Sequence, residues 1–392
     1  NRLDSSGNKL WGAGSWVSQQ DGNASEIEGC TTSDNGFFIV WSDPRNAKIT
    51  WSDLYCQKIN SGGTALWTAN GIPLCTSNYT QQYERCIPDN SGGAFIVWND
   101  NRNSDSITTR VDIFCQRING SGNAVFGANG KAICTAPESQ YRPDPVTDMK
   151  GGVIVNWNDF RNGPSSPFNI DIYAQRFDSL GNMKWTADGK QICDAVLSQN
   201  NNRGVSDGNY GSIIAWDDRR AGATVYDIYA QRIDSSGNLL WGNDDALVSN
   251  AAGNQYKPQL VKTSDGVIFC FEDTRTGLSD YNLYTMKLLN GGGVVSVNTS
   301  GNEIVKNFRL YQNYPNPFNP ATTIKFELQK SSFVLLKVYN SLGSEVAELV
   351  NGKNEAGTYE INFDAASLSS GVYFYKLTSG DFSEVRNMVL VK

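Results

Sequence analysis

Ala94-Phe95-Ile96-Val97-Trp98-Asn99-Asp100-Asn101-Arg102 is an apolar run closed by Trp-x-Asp-x-Arg, and the chain carries this closing motif again and again. Four copies are Trp41/Asp43/Arg45, Trp98/Asp100/Arg102, Trp157/Asp159/Arg161 and Trp216/Asp218/Arg220, and Phe271/Asp273/Arg275 is a fifth. Successive aromatic residues stand 57, 59, 59 and 55 positions apart. A fixed period of that length marks a repeat architecture. Seven to ten residues after each Arg a second element follows, Asp53-Leu54-Tyr55-Cys56-Gln57 in the first copy. It returns at 112–116, 171–175 and 227–231, and in degenerate form at Asn282-Leu283-Tyr284. A third element is a Gly turn leading to an aromatic residue: Asp4/Gly7/Trp11, Asn60/Gly63/Trp67, Asn119/Gly122/Phe126, Asp178/Gly181/Trp185 and Asp234/Gly237/Trp241.

Each unit offers three or four short strands and no helical period. One face of every unit is apolar and cannot be buried within the unit, so neighbours must stack. The expected fold is all-β: a β-propeller of about five four-stranded blades over residues 1–305, with an open β-solenoid as the alternative. Either the Asp4…Trp11 fragment or the Asn290-Gly291-Gly292-Gly293-Val294-Val295 segment supplies the last strand of the fifth blade, and missing upstream blades are the alternative. The Gly-turn element resembles the Asp-box hairpin of sialidase-like propellers, with a spacing longer by one on each side. No export leader is legible at Asn1, so the numbering is expected to start at a mature or truncated end.

Five near-copies of one constellation cannot all be one active site. The repeated Trp, Asp and Arg are therefore expected to be scaffold, the Asp accepting loop amides or pairing with its Arg and the Trp packing between blades. Function more often sits on variable loops over a rigid frame. The loops at 46–52, 103–111, 162–170, 221–226 and 276–281 differ most, and Trp51, Phe168, Tyr226 and Tyr281 are their candidate ligand-stacking aromatics.

The chain has no histidine, which excludes His-based triads and imidazole metal sites. A net charge of −7 without basic clusters argues against nucleic acid. No cofactor motif is present; the acidic body tolerates a structural divalent cation such as calcium without requiring one. No apolar run is long enough to span a membrane. All eight cysteines precede residue 271. The matched spacing favours pairs 56–75 and 115–134, 75–86 is a rival, and buried free thiols are the plain alternative.

The last part of the chain has a different character. Residues 322–329 and 357–364 alternate, as half-buried strands do. The prolines at 315, 317 and 320 cannot occupy a central strand and read as a stiff, extended linker over 306–321. A β-sandwich is expected over 322–392. Here Tyr314-Pro315-Asn316-Pro317, the 338–343 turn, Gly371-Val372-Tyr373 and the terminal run ending at Lys392 occur in order. Together they resemble the C-terminal sorting domain of bacterial type IX secretion. That resemblance implies an Ig-like sandwich, handling by the type IX machinery, and an extracellular or outer-membrane-surface location, where disulfides are chemically allowed.

For function, the sequence favours a non-catalytic surface module that binds a glycan, a surface polysaccharide or a protein, or mediates adhesion. A self-assembling subunit of an extracellular array or filament is the alternative, recruited through exposed strand edges. A carboxylate glycosidase is a third class. It would need unrepeated acids such as Glu26, Glu84, Glu138 or Glu272 to converge.

Overall fold

The computed structural model describes residues 1–19, 24–47, 51–104, 110–163, 169–242, 245–277, 280–289, 294–295, 308–328, 332–354, 357–380 and 382–392. The expected boundary at 305/306 lies outside them. Among the described residues the chain is all-β, and the repeats form five four-stranded antiparallel sheets in simple strand order. The first contains β1 (Ser25–Thr31), β2 (Phe37–Asp43), β3 (Asp53–Ile59) and β4 (Ile72–Cys75). The second contains β5 (Gln81–Pro88), β6 (Ala94–Asp100), β7 (Asp112–Ile118) and β8 (Lys131–Cys134). The third contains β9 (Gln140–Thr147), β10 (Val153–Asp159), β11 (Asp171–Phe177) and β12 (Lys190–Cys193). The fourth contains β13 (Gln199–Ser206), β14 (Ser212–Asp218), β15 (Asp227–Ile233) and β16 (Ala246–Ser249). The fifth contains β17 (Gln255–Lys262), β18 (Gly266–Asp273), β19 (Asn282–Leu289) and β20 (Val294–Val295). The chain divides into two compact units, residues 1–245 with 256–258, and residues 246–255 with 259–392.

In the first unit the initial strands β1, β5, β9 and β13 pack on one another in series. The second strands β6, β10 and β14 are buried along their whole length. Trp98 lies in one cluster with Val40, Leu54 and Leu74 of the preceding sheet, and Trp157 packs with Val97, Ile113 and Ile133. The repeated Asp is buried beside each Trp. Its Oδ2 accepts the indole N–H at 2.7–2.8 Å in the copies at Trp41, Trp98, Trp157 and Trp216. Its Oδ1 accepts the Arg backbone amide at 2.7–2.9 Å in all five. The guanidinium closes the set at 2.6 Å for Arg102 and Arg161 and at 2.7 Å for Arg220, and it stacks over Phe114, Tyr173 and Tyr229. Phe271 has no indole donor, so Asp273 relies on Arg275.

Arg45 departs from the expected uniform pairing. Arg102 and Arg161 each bind their carboxylate through both Nε and Nη2. Arg45 uses Nη2 for Asp43 Oδ2 at 2.5 Å and for the Asn70 carbonyl at 2.9 Å, and it stacks on Tyr55. Its buried Nε has no hydrogen-bond partner among the described residues. Cys75 and Cys134 accept from Arg102 and Arg161, 27 residues further on in each case. The residue at that offset is Ser18 before Arg45 and Val248 before Arg275, and Arg275 still binds Asp273 through both nitrogens. The sulfur therefore does not account for the single contact of Arg45.

The second element ends on a fully buried Gln. Gln116 donates to the Gly127 carbonyl and accepts the amides of Arg117 and Phe126, which clamps the Gly turn to β7. Inside that turn, Asn119 accepts the amides of Ser121 and Asn123. Each turn's aromatic residue then covers the glycine of the next turn. A Cβ on Gly122 would meet Trp67 at 3.0 Å, and one on Gly63 would meet Trp11 at 2.7 Å. The N-terminal hairpin therefore docks on the first sheet. The fourth strand of the fifth sheet is β20, not the Asp4…Trp11 fragment.

In the second unit, β21 (Arg309–Leu310), β22 (Ala321–Leu328) and β25 (Gly357–Asp364) form one sheet. The other has the order β24 (Glu345–Asn354), β23 (Ser332–Asn340), β26 (Gly371–Ser379), β27 (Phe382–Leu390). Ile324, Phe326, Leu336, Val338, Tyr375 and Leu377 fill the core between them. The segment expected as a linker is instead part of this sandwich. Phe318 is buried, its amide donates to the Val389 carbonyl, and the Val391 amide donates back to it. Asn313 is buried too. Its side chain donates to Pro315 O and Thr322 Oγ1, and its backbone amide donates to Tyr375 Oη. Three prolines remove ladder donors, so the segment docks through side chains more than through sheet pairing.

Removing the buried acceptor should be costly, because it strands an Arg and an indole N–H. Asp159→Ala is expected to lower the unfolding free energy by about 3–5 kcal/mol in urea titration. An unchanged midpoint would contradict the scaffold assignment.

Candidate functional site

The first strand of each of the first four repeats carries a β-bulge directly across from the Trp. In β5 the register passes from Gln82↔Asn99 to Arg85↔Val97, so two residues face Trp98. The same shift occurs in β1, β9 and β13. One extra residue in a bulge turns its side chain out of the alternation. That residue is Glu26, Tyr83, Arg142 and Asn201 in the four sheets and Lys257 in β17, all with φ between 49° and 56°. Left-handed backbone at five non-glycine residues is uncommon and costs free energy at each. It recurs fifteen residues before the Trp in the four complete copies, yet the chemistry at the position differs every time.

Glu26, Glu28, Tyr83, Glu84, Arg85, Arg142 and Arg203 line one pocket of about 360 Å³, bounded by β1, β5, β9 and β13. The strands are cross-linked there. The Tyr83 amide donates to Glu26 Oε2 at 2.6 Å, and Arg85 pairs with Glu28. Arg142 donates to Asn201 Oδ1, and the Gly204 amide donates to Asp144 Oδ2 at 2.7 Å. Asn202 Nδ2 donates to Asn156 Oδ1 at 2.6 Å. Tyr83 keeps 55% of its surface exposed, which leaves a ring face free for a ligand.

Glu84 is the anomaly. The residue after the bulge is Pro143, Asn202 or Pro258 in the later repeats and is buried in all three. Glu84 is 2% exposed, and neither carboxylate oxygen has a hydrogen-bond partner among the described residues. Burial, aided by the Glu26 carboxylate, pushes it up to about 8. Asp217, also buried, is pushed up to about 7 by desolvation although Asn201 donates to it at 3.0 Å. Burial likewise raises Asp144. Three arginines line the pocket with Glu26, Glu28 and Glu84, and the raised Glu84 leaves guanidinium groups in excess there.

A larger cavity of about 590 Å³ separates the N-terminal hairpin from the first sheet. Trp11, Val17, Phe37 and Ile39 line it with Arg2 as its ionisable side chain, so it offers little chemistry.

Trp51 and Tyr226 are not among the residues that line the pocket of about 360 Å³. Trp51 and Tyr281 are exposed on separate loops, and Tyr226 packs on Tyr256 at 4.7 Å with Arg219 over its ring. Phe168 lies outside the described residues. Of the unrepeated acids, Glu26 and Glu84 meet in the pocket. Glu138 holds a tight turn whose carbonyl accepts from Gln140, and Glu272 lies on β18. Among the described residues no cluster of three or more acidic or cysteine side chains is placed to hold a metal ion.

The cysteines depart from the expected pairs. Cys75 stands opposite Leu54 and Cys56 opposite Ile72, so the two do not face each other; Cys115 and Cys134 repeat the offset. Instead Cys75 and Cys134 accept from Arg102 and Arg161 at 3.0 and 3.1 Å, and burial holds both thiols up at about 12.

In the tail, Tyr314 is exposed, the Asn316 side chain accepts the Val389 amide, and the Tyr314–Pro315 and Asn316–Pro317 bonds are cis. Gly371 pairs with Leu390, Tyr373 is buried with its hydroxyl on the Ser369 carbonyl, and Lys392 Nζ reaches the Ala366 carbonyl at 2.5 Å.

Residues 312–392 match the family described as the secretion system C-terminal sorting domain. The tail is thus a type IX sorting domain whose partner is the secretion machinery, and the protein is exported to the cell surface or the extracellular space. Among the described residues no helix is long and apolar enough to cross a membrane. No functionally curated protein matches the chain. Among solved structures it is similar to PorZ, a surface component of the type IX system of Porphyromonas gingivalis, at 15% identity and a TM-score of 0.41. That match covers 96% of this chain but 46% of PorZ, so this chain spans less than half of its length. An endo-arabinase from Bacteroides thetaiotaomicron matches at 10% identity and 0.35, covering 64% of this chain and 89% of that one. An α-L-arabinofuranosidase from Fusarium graminearum matches at 10% and 0.36, covering 90% and 96%. At these scores the similarities do not bear on ligand or chemistry.

Glu84 gives stability a particular pH dependence. The folded protein keeps this proton up to about pH 8, whereas the ordinary value is 4.5. Stability from this group is therefore complete below the ordinary value and is lost as pH rises toward 8. Glu84→Gln should match wild type near pH 4.5 and exceed it by on the order of 3 kcal/mol above pH 8. Parallel stability curves in chemical denaturation would contradict the buried, protonated assignment.

Proposed function

We propose that this exported protein is a non-catalytic saccharide-binding module displayed at the cell surface or released near it, with the ligand seated among Glu26, Tyr83, Arg142 and Arg203. The observation that carries this reading is the bulge position. It is held in one strained backbone conformation throughout the repeats while its side chain changes from Glu to Tyr, Arg, Asn and Lys. A scaffold position would repeat its chemistry; a recognition position need not.

Sugar hydroxyls suit paired guanidinium and carboxylate partners, and a sugar's C–H face suits the exposed Tyr83 ring. The excess of guanidinium groups favours carboxylated or sulfated saccharides. Binding is preferred to glycoside hydrolysis because the pocket carboxylates are already engaged. Glu84 is too buried to reach a ligand, Glu26 holds the Tyr83 amide and Glu28 holds Arg85.

A panel of neutral and acidic oligosaccharides tests this. Saturable binding of an acidic member is expected, weakened by added salt and by at least about tenfold in Tyr83→Ala and Arg142→Ala, with Trp51→Ala unaffected. Absence of binding across the panel, or release of cleaved sugars, would overturn it.

A further inference from the structure

Cys30 and Cys86 have no role described so far. Cys30 lies on β1 and Cys86 on β5, adjacent first strands of the first two sheets. Both are half-buried thiols. Both pack on the same apolar cluster, with Phe38, Val40, Ala94 and Ile96, which joins those sheets. The Cys30 thiol, ahead of burial, pushes the Cys86 thiol up.

The repeat supplies an independent gauge of this spot. Cys30 is four residues beyond its bulge residue, Glu26, and Cys86 is three beyond Tyr83. At the junction of the third and fourth sheets the same two positions hold Val146 and Gly204. A Cβ on Gly204 would lie 2.6 Å from Val146 Cγ2, a separation that no non-bonded pair tolerates. There a side chain is omitted, whereas the second junction holds Ile87 and Pro145 at the two positions. At the first junction two sulfurs occupy the equivalent place, where a covalent S–S bond can join the strands.

We propose that Cys30 and Cys86 form a disulfide in the exported protein, joining the first two sheets beside the pocket wall. The sorting tail takes the chain out of the reducing cytoplasm to an extracytoplasmic setting in which such a bond persists. The reaction is thiol–disulfide exchange with a dithiol oxidase in its disulfide form. One cysteine thiolate attacks the oxidant's disulfide and releases one of its sulfurs as a thiolate. The other cysteine, deprotonated, then attacks the mixed disulfide and releases the second. Two electrons pass to the oxidant, and its two sulfurs take up the two protons.

The bond would lock Glu26 and Glu28 against Tyr83 and Arg85, the half of the pocket contributed by the first two sheets. The other thiols have different surroundings. Cys56 and Cys115 are sealed within their sheets, and Cys75, Cys134 and Cys193 accept from arginines.

The test is non-reducing peptide mapping of the full chain recovered from outside the cell, unfolded and alkylated without reductant. A single Cys30–Cys86 linked peptide, lighter by two hydrogens than its separate parts, is expected, with the other six cysteines alkylated. Reductant should also lower the melting temperature of wild type by several degrees but leave a Cys30→Ser/Cys86→Ser double variant unmoved. Alkylation of both Cys30 and Cys86 in the unreduced wild type, or their linkage to other cysteines, would overturn the proposal without any variant needing to fold.

Discussion

A buried carboxylate organises every repeat. The aspartate of Trp-x-Asp-x-Arg is at most 2% exposed in its five copies, and it survives burial because donors converge on it from the indole, the following loop and a guanidinium. Each donor would itself be stranded without it. The carboxylate therefore fixes the Trp rotamer, the end of the second strand and the start of the loop in one step. The buried Gln of the third strand does the same for the Gly turn.

Fixing the Trp has a consequence on the neighbouring strand. The bulge in the first strand of each of the first four sheets lies across from that ring, so its left-handed residue is delivered to the same place in each. The scaffold thus determines where the side chain goes and leaves its identity free. Four such strands set Glu26, Tyr83, Arg142 and their neighbours around one pocket. The strain at these residues is sustained by inter-sheet bonds such as Tyr83 to Glu26 and Asn202 to Asn156. Glu84, held protonated by burial, tips the charge of that pocket toward positive.

The repeat, its sheet count and the sorting tail were all legible, because Trp, Asp, Gly and Gln recur at fixed spacing and carry large, local effects. The motif did not show that its copies differ in detail. Arg45 reads like Arg102 and Arg161, yet it meets its carboxylate through Nη2 alone, a difference the motif does not encode. The pocket was not legible either. A bulge breaks the alternation by which a strand is recognised, and Pro143 and Pro258 make two of those strands look like loops. Segments such as Ser25-Glu26-Ile27-Glu28 and Asn200-Asn201-Asn202-Arg203 share no composition, so nothing aligned them until the Trp register did. The docked Pro315–Pro320 segment was missed for a related reason. Its anchor is one buried ring, Phe318, amid residues that read as a spacer. The loop aromatics were chosen on side-chain type alone, and type does not tell exposed Trp51 from the packed Tyr226.

The central claim is that repetition marks scaffold and its one variable, strained position marks recognition. A crystal structure of the protein grown with an acidic oligosaccharide tests this most directly. Sugar density in contact with Tyr83, Arg142 and Arg203 is the predicted result. Density confined to the Trp51 or Tyr281 loops, with the pocket empty, would contradict it.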